Sequence, residues 1–66
     1  MPDYERDMVT FDAEKMDSTD EAILFLIEGQ EVWCPRRICE WEPKTPDGVV
    51  GEVTMTVQFA TEKELA

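Results

Sequence analysis

The chain has 66 residues, of which sixteen are Asp or Glu and six are Lys or Arg, so its formal net charge at pH 7 is −10. A domain of this length buries only about 60% of the surface of its unfolded chain, which argues against a large ligand cavity. The charge argues against direct binding to nucleic acid or to an anionic membrane, because those contacts depend on Lys and Arg. We therefore expect a single domain over residues 1–66, with a basic surface as its natural complement.

The N-terminal segment, residues 1–21, is the acidic end of the chain, with eight acids against Arg6 and Lys15. We expect this segment to be only partly ordered. Met8-Val9-Thr10-Phe11 is apolar and β-branched enough to pair as a strand, and the residues before it are expected to fray. Asp17-Ser18-Thr19-Asp20 is typical of a turn.

Residues 22–35 give the strongest local signal, which is that of a β-hairpin. The apolar run Ala22 to Ile27 is followed by Gly29 and Gln30, and then by a second β-prone run that ends at Pro35. Glycine at the first central position suits a type II′ turn, because that position needs a positive φ. The first run shows no polar alternation, which favours a central strand covered on both faces.

Beyond Pro35, residues 36–42 are compatible with one helical turn or with a further extended piece, and the pattern does not decide between them. Residues 43–48 form a loop, since two prolines and an Asp-Gly leave no room for a regular element. Strict alternation from Glu52 to Phe59 predicts a half-buried strand over about 52–60. The capping-box spacing at Thr61 predicts a short helical turn that begins there.

The predicted fold is mainly β: a small three- or four-stranded antiparallel sheet with a hairpin at about 22–35, a final strand at about 52–60 and at most short helical turns. One face of such a sheet needs a cover, and 66 residues offer little to provide it. We therefore expect either a partner or a homodimer to complete the core.

Composition leaves little room for catalysis or for bound cofactors. The chain has no His, and Ser18 is its only serine, so a Ser-His-Asp or Cys-His arrangement is excluded. Cys34 and Cys39 are spaced Cys-x4-Cys, which is wider than a usual zinc knuckle, and a zinc sensor is only a third hypothesis. We predict no enzyme activity, no cofactor and no metal site.

The expected location is the cytoplasm. The first residues lack the basic and apolar regions of a signal peptide, and the longest apolar run, Ala22 to Ile27, is far shorter than the roughly 20 residues that span a bilayer. In a reducing compartment Cys34 and Cys39 are expected to be free thiols.

Acidic and aromatic residues are the remaining candidates for an interface. In an extended segment, alternate acids such as Asp3, Glu5 and Asp7 lie about 6.8 Å apart on one side, about twice the 3.4 Å per-strand rise of DNA, so phosphate mimicry is possible. Trp33 is interpreted as a core residue more readily than as a contact, whereas Trp41 lies between two acids and is a candidate anchor. The candidate partner-binding residues are Asp12, Glu14, Asp17, Asp20, Glu21, Glu40, Trp41, Glu42 and Asp47.

Two stretches, residues 28–38 and 59–65, resemble a group of very small proteins of phages and prophages. That group carries a Trp-x-Pro-basic-x-x-Ile segment, which Trp33 to Ile38 match with one residue fewer before the isoleucine, and a closing aromatic-Ala-x-x-Lys-x-Leu motif, here Phe59 to Leu65. The chain has Cys34, Arg37 and Glu64 where the group has an aliphatic residue, a small polar residue and a glycine. The resemblance implies a phage setting and a small β-fold, and it implies no activity.

In size and charge the chain is also similar to phage-encoded anti-CRISPR and anti-restriction inhibitors, several of which mimic DNA. The leading hypothesis is accordingly an inhibitor that acts in the host cytoplasm and blocks a basic nucleic-acid-binding surface of a host protein or complex by charge mimicry. The alternative is a small homodimeric structural or accessory module whose acidity serves solubility only.

Overall fold

The computed structural model describes residues 7–65. Five antiparallel strands form one sheet, and a short helix follows the last strand. The sheet order is β3-β2-β1-β5-β4. The mainly β class expected from the sequence is confirmed, with five strands rather than three or four. The elements are β1 Met8–Ser18, β2 Ala22–Ile27, β3 Gln30–Pro35, β4 Cys39–Pro43, β5 Val50–Thr56 and α1 Val57–Glu62.

The sheet curls so that its two edge strands, β3 and β4, approach each other at one end, because only residues 36–38 join them. The amide of Ile38 donates to the carbonyl of Pro35 at 3.2 Å and closes this connection as a tight turn. Across the curl, the ring centroids of Phe25 on β2 and Trp41 on β4 are 4.8 Å apart. The sheet therefore has an inner face that encloses the core and an outer face towards solvent.

The core lies on the inner face, where most alternate residues of the strands are apolar. Phe25, Ile27, Val53 and Met55 are each at most 1% exposed. Each such side chain contributes about 1.5–3 kcal/mol when it is fully buried. Helix α1 adds its buried residues Phe59 and Ala60 to the same cluster. The curl and the helix together cover the inner face, which the sequence assigned to a partner or to a second copy.

The hairpin of β2 and β3 is confirmed, but its turn is displaced by one residue from the prediction. Ile27 pairs with Gln30, so Glu28 and Gly29 are the two central residues. Their φ angles are 51° and 81°, and two positive φ values are the pattern of a type I′ turn rather than a type II′ turn. Glu28 is thus held in a conformation that an L-residue other than Asn, Asp or Gly rarely adopts.

Strand β1 is the middle strand of the sheet and continues well past Phe11, where the sequence predicted its end. It pairs with β5 over its first half and with β2 over its second half. The register shifts between Lys15 and Asp17, which marks a β-bulge at Met16 that bends the strand. The predicted turn at residues 17–20 begins later, because Ser18 still pairs in the sheet. The expected fraying of the first residues falls mostly outside the described part of the chain.

The C-terminal prediction was wrong in its bounds. Strand β5 ends at Thr56, whose hydroxyl accepts a hydrogen bond from the amide of Phe59 at 3.1 Å and caps helix α1. The helix ends close to Thr61, where a helical turn was expected to begin. Its end is a Schellman motif: Glu64 has φ 61°, and the amide of Leu65 donates to the carbonyl of Ala60 at 2.8 Å.

Residues 36–42, which the sequence left undecided, form the turn at 36–38 and most of β4. Strands β4 and β5 approach each other closely at Gly51. A Cβ atom built there would lie 2.7 Å from the Cα atom of Pro43, so this position requires glycine.

Candidate functional site

Strand alternation places all acids of the five strands on the outer face of the sheet. Asp12 pairs with Glu52, which in turn pairs with Glu42, and the inward residues beside them, Val53 and Trp41, point to the core. The other strand acids follow the same parity, counted across the bulge in β1. We call the set the acidic outer face; it consists of Asp12, Glu14, Asp17, Glu31, Glu40, Glu42 and Glu52.

Carboxylates on this face form a two-dimensional array. Neighbouring strands are about 4.8 Å apart, and alternate residues of one strand are about 6.8 Å apart. Asp12, Glu52 and Glu42 occupy one row across β1, β5 and β4. Like charges directly opposite each other destabilise a sheet, so this row lowers the stability of the fold.

Lys44, just after β4, is the cation that faces this row. Its ammonium group lies 2.8 Å from Glu42 Oε2 and 3.6 Å from Glu52 Oε1. Hydrogen bonding and charge attraction between Lys44 and Glu42 lower the pKa of Glu42 and raise the pKa of Lys44. Because these groups are exposed, the ion pairs contribute little to folding, and one cation beside three carboxylates leaves the row negative.

The two tryptophans lie on the faces opposite to those that the sequence predicted. Trp41 is half-buried on the inner face against Phe25, which leaves little of its ring free for a partner. Trp33 is 46% exposed on the outer face, so its interpretation as a core residue was wrong. Trp33 pairs with Leu24, itself half-buried, and follows Glu31 on the same face of β3. The exposed aromatic side chain that borders the acids is therefore Trp33.

Three predicted site residues lie in loops instead of on the acidic outer face. Asp47 accepts hydrogen bonds from the Thr45 hydroxyl and, at 3.0 Å, from the Val49 amide, and these bonds lower the pKa of Asp47. Asp20 and Glu21 line a shallow groove of about 490 Å³. Arginines 36 and 37 line the same groove, so its charge is mixed. The structure thus brings together Asp12, Glu14, Asp17, Glu40 and Glu42 and leaves Asp20, Glu21, Trp41 and Asp47 apart from them.

Three outer-face residues are absent from the predicted set: Glu31 and Trp33 of β3, and Glu52 of β5. The signal for the two β3 residues was available, because both have the parity opposite to Val32 and Cys34 in the predicted hairpin. It was obscured by the apolar partner strand β2, whose half-buried Leu24 and Leu26 lie on the outer face beside them.

Within residues 7–65, no group of three or more His, Cys, Asp or Glu side chains is arranged to hold a metal ion. In the same part of the chain, no helix is both long and apolar enough to cross a membrane. Comparisons of the chain with protein-family models, with curated proteins and with solved structures gave no match.

Proposed function

We propose that this chain is a phage-encoded, non-catalytic inhibitor that binds a basic nucleic-acid-binding surface of a host protein. Its carboxylates occupy the positions of nucleic-acid phosphates. The observation that carries the proposal is the acidic outer face, on which seven carboxylates lie on one side of a curled sheet. The phage origin rests on the resemblance of residues 28–38 and 59–65 described above.

The spacing of the array supports a phosphate-like surface. The pairs Asp12 and Glu14, and Glu40 and Glu42, each have a separation of about 6.8 Å along their strands, about twice the per-strand rise of DNA. A basic groove that follows a nucleic-acid backbone therefore meets negative charges at comparable intervals. Electrostatic complementarity of this kind raises the association rate and suppresses wrong partners.

The repulsion between carboxylates of the array destabilises the fold, which favours a binding function over solubility alone. Solubility requires only that charges be dispersed over the surface, and loops can supply them. In this sheet Asp12, Glu52 and Glu42 instead lie directly opposite one another. Cationic side chains of a partner relieve that repulsion on binding, so the same arrangement that weakens the free fold strengthens the complex.

Trp33 is the proposed anchor of the contact. It is 46% exposed on the outer face, beside Leu24 and close to the acids of β1 and β3. Large aromatic side chains surrounded by polar residues are frequent hot spots of protein interfaces. We expect the partner to offer an apolar pocket at the margin of its basic surface.

The test compares two variants of equal charge. One neutralises the outer face with Asp12→Asn, Glu40→Gln, Glu42→Gln and Glu52→Gln. The matched control neutralises four acids elsewhere with Asp20→Asn, Glu21→Gln, Glu62→Gln and Glu64→Gln, and both changes take the formal net charge from −10 to −6. Each immobilised chain is exposed to nuclease-treated host lysate, and the captured protein is purified and assayed for nucleic-acid binding by mobility shift.

We expect the wild type and the control to block nucleic-acid binding by the captured protein, and the outer-face variant to lose at least about tenfold in affinity, since each charged contact contributes on the order of 1 kcal/mol or more. Affinity should also fall steeply between about 50 and 300 mM NaCl, because screening shortens the reach of the charges. Equal loss in both variants, a salt-independent affinity, or a captured protein that binds no nucleic acid contradicts the proposal.

The alternative is a homodimeric accessory module, and the half-exposed Trp33 beside Leu24 is the observation that favours it. Sedimentation of the purified chain distinguishes the two functions. A dimer that Trp33→Gln converts to a monomer, together with no partner captured from lysate, supports the accessory module. A monomer at micromolar concentration excludes it.

A further inference from the structure

Cys34 and Cys39 lie on the inner face at the point where the two sheet edges meet. Cys34 is the residue before the last in β3 and is 1% exposed, whereas Cys39 is the first residue of β4 and is half-buried. They flank the tight turn that the Ile38 amide and the Pro35 carbonyl close. Their side chains hydrogen bond to each other and line the same cavity, so the two sulfur atoms are neighbours, as a disulfide bond between them requires.

The two thiols are neighbours and differ in their environment. Hydrogen bonding between them, followed by burial, raises the pKa of Cys34, and the same hydrogen bond lowers the pKa of Cys39. The Cys34 thiol also lies 3.9 Å from the carbonyl of Val32. Cys39 therefore loses its proton more readily than an ordinary cysteine, and Cys34 loses its proton less readily.

A cavity of about 250 Å³ connects this pair to solvent. Its lining includes both cysteines, Phe25, Trp41 and Arg36. Arg36 is held at the opening, since its Nε atom donates to the Thr19 carbonyl at 2.9 Å and its amide donates to the Glu21 carbonyl at 2.9 Å. A small oxidant has access to Cys39 through this opening.

We propose that Cys34 and Cys39 form a reversible dithiol–disulfide site that joins the two edges of the sheet when a peroxide reaches the cavity. The Cys39 thiolate attacks a peroxide oxygen, and the O–O bond breaks to leave a sulfenic acid and hydroxide. The Cys34 thiol then attacks the sulfenic sulfur; the S–S bond forms, the S–O bond breaks, and water leaves with the thiol proton. Two thiols are oxidised and one peroxide is reduced to water and hydroxide, and a dithiol reductant reverses the step.

The experiment uses the full chain with hydrogen peroxide as the probe. The reduced protein is treated with a small molar excess, the peroxide is removed with catalase, and the protein is denatured and alkylated with N-ethylmaleimide. We expect an unalkylated monomer about 2 Da lighter than the reduced chain, as one disulfide requires. A peptide should link residues 34 and 39, and dithiothreitol should restore two alkylation sites. Thermal unfolding of the oxidised chain should occur at a higher temperature than that of the reduced chain.

Two variants assign the roles of the cysteines. Cys34→Val keeps the buried position apolar, and its peroxide-treated form should carry a dimedone-reactive sulfenic acid at residue 39. Cys39→Ser should keep the residue 34 thiol intact at the same peroxide dose, because that thiol is buried.

The proposal is overturned by two alkylated cysteines in the treated wild type, by covalent dimers, or by a mass gain from sulfinic or sulfonic acid in place of the loss. The wild-type measurement decides the matter alone if either variant fails to fold by circular dichroism. Because the pair lies on the inner face, the result is independent of partner binding by the acidic outer face.

Discussion

Glu42, on the acidic outer face, forms an ion pair with Lys44. Lys44 lies 2.8 Å away and lowers the pKa of Glu42 below its usual 4.5. A lowered pKa in the folded state means that the ion pair favours folding above the pKa of the unfolded chain. This contribution disappears as the pH falls through the folded-state pKa. The raised pKa of Lys44 places the alkaline limit of the same ion pair above 10.5.

A pH titration followed by NMR tests this residue. In the wild type the Glu42 side-chain resonances should titrate below pH 4.5. In Lys44→Gln they should titrate at a higher pH, because both the hydrogen bond and the charge are lost. Asp47 is the internal control: its pKa is lowered by Thr45 and Val49, so it should titrate at the same pH in both proteins. An unchanged Glu42 titration in the variant contradicts the assigned cause.

At the scale of elements, the end of helix α1 contains a residue poorly suited to its backbone. Glu64 is the left-handed residue of the Schellman motif, with φ 61°. Glycine is strongly favoured there because it has no Cβ penalty. The motif positions Leu65, which is 8% exposed, in the core cluster.

Glu64→Gly should stabilise the protein by about 1 kcal/mol, which raises the melting temperature by about 4–8 °C for a domain of this size. Glu62→Gly is the matched control, because it removes the same charge from the last helical residue. There glycine loses more entropy on folding, and a destabilisation of about 0.5–1 kcal/mol is expected. Urea denaturation measures both. Equal effects of the two variants would show that charge, and not backbone conformation, governs this position.

The elements that the sequence predicted best are those defined by local pattern. Two β-prone runs separated by a glycine predict the hairpin. The alternation of apolar and polar residues alone predicts that Val53 and Met55 point inward. The alternation of apolar and polar residues continues through Val57 and Phe59, but the chain forms helix α1 there. Thr56 caps this helix, and Phe59 packs in the core from it. The sequence missed the second half of β1 and left β4 undecided, because charged residues interrupt both segments and such residues are depleted in strands. Each segment becomes extended by pairing with the next strand along the chain, β2 or β5.

At the scale of the whole molecule, the net charge of −10 on 66 residues opposes compaction. The Debye length falls from about 30 Å at 0.01 M salt to about 10 Å at 0.1 M. We therefore expect the melting temperature of the free protein to rise over this range by several degrees. Potassium chloride and sodium chloride should act equally, because screening depends on ionic strength. In the outer-face variant the rise should be smaller, and a melting temperature that falls with salt contradicts the prediction.

The candidate site could be predicted only in part. The sequence named Asp12, Glu14, Glu40 and Glu42 as acids of an interface, but it could not place them on one surface. That requires β1 and β4 to pair with opposite sides of β5; β4 is its neighbour in the chain, but the pairing of β1 with β5 joins residues far apart in sequence. Once pairing is known, the parity of each strand assigns every carboxylate to a face.

The same parity constrains how the strands can align. A shift of β4 against β5 by one residue would turn Glu40 and Glu42 towards Phe25 and Met55 and would expose Trp41. Burying two carboxylates in an apolar core costs far more than the repulsion on the outer face. The alternation of charged and apolar residues therefore fixes the register of β4 against β5. It also leaves acids on the edge strands β3 and β4, where they oppose pairing with the edges of other copies.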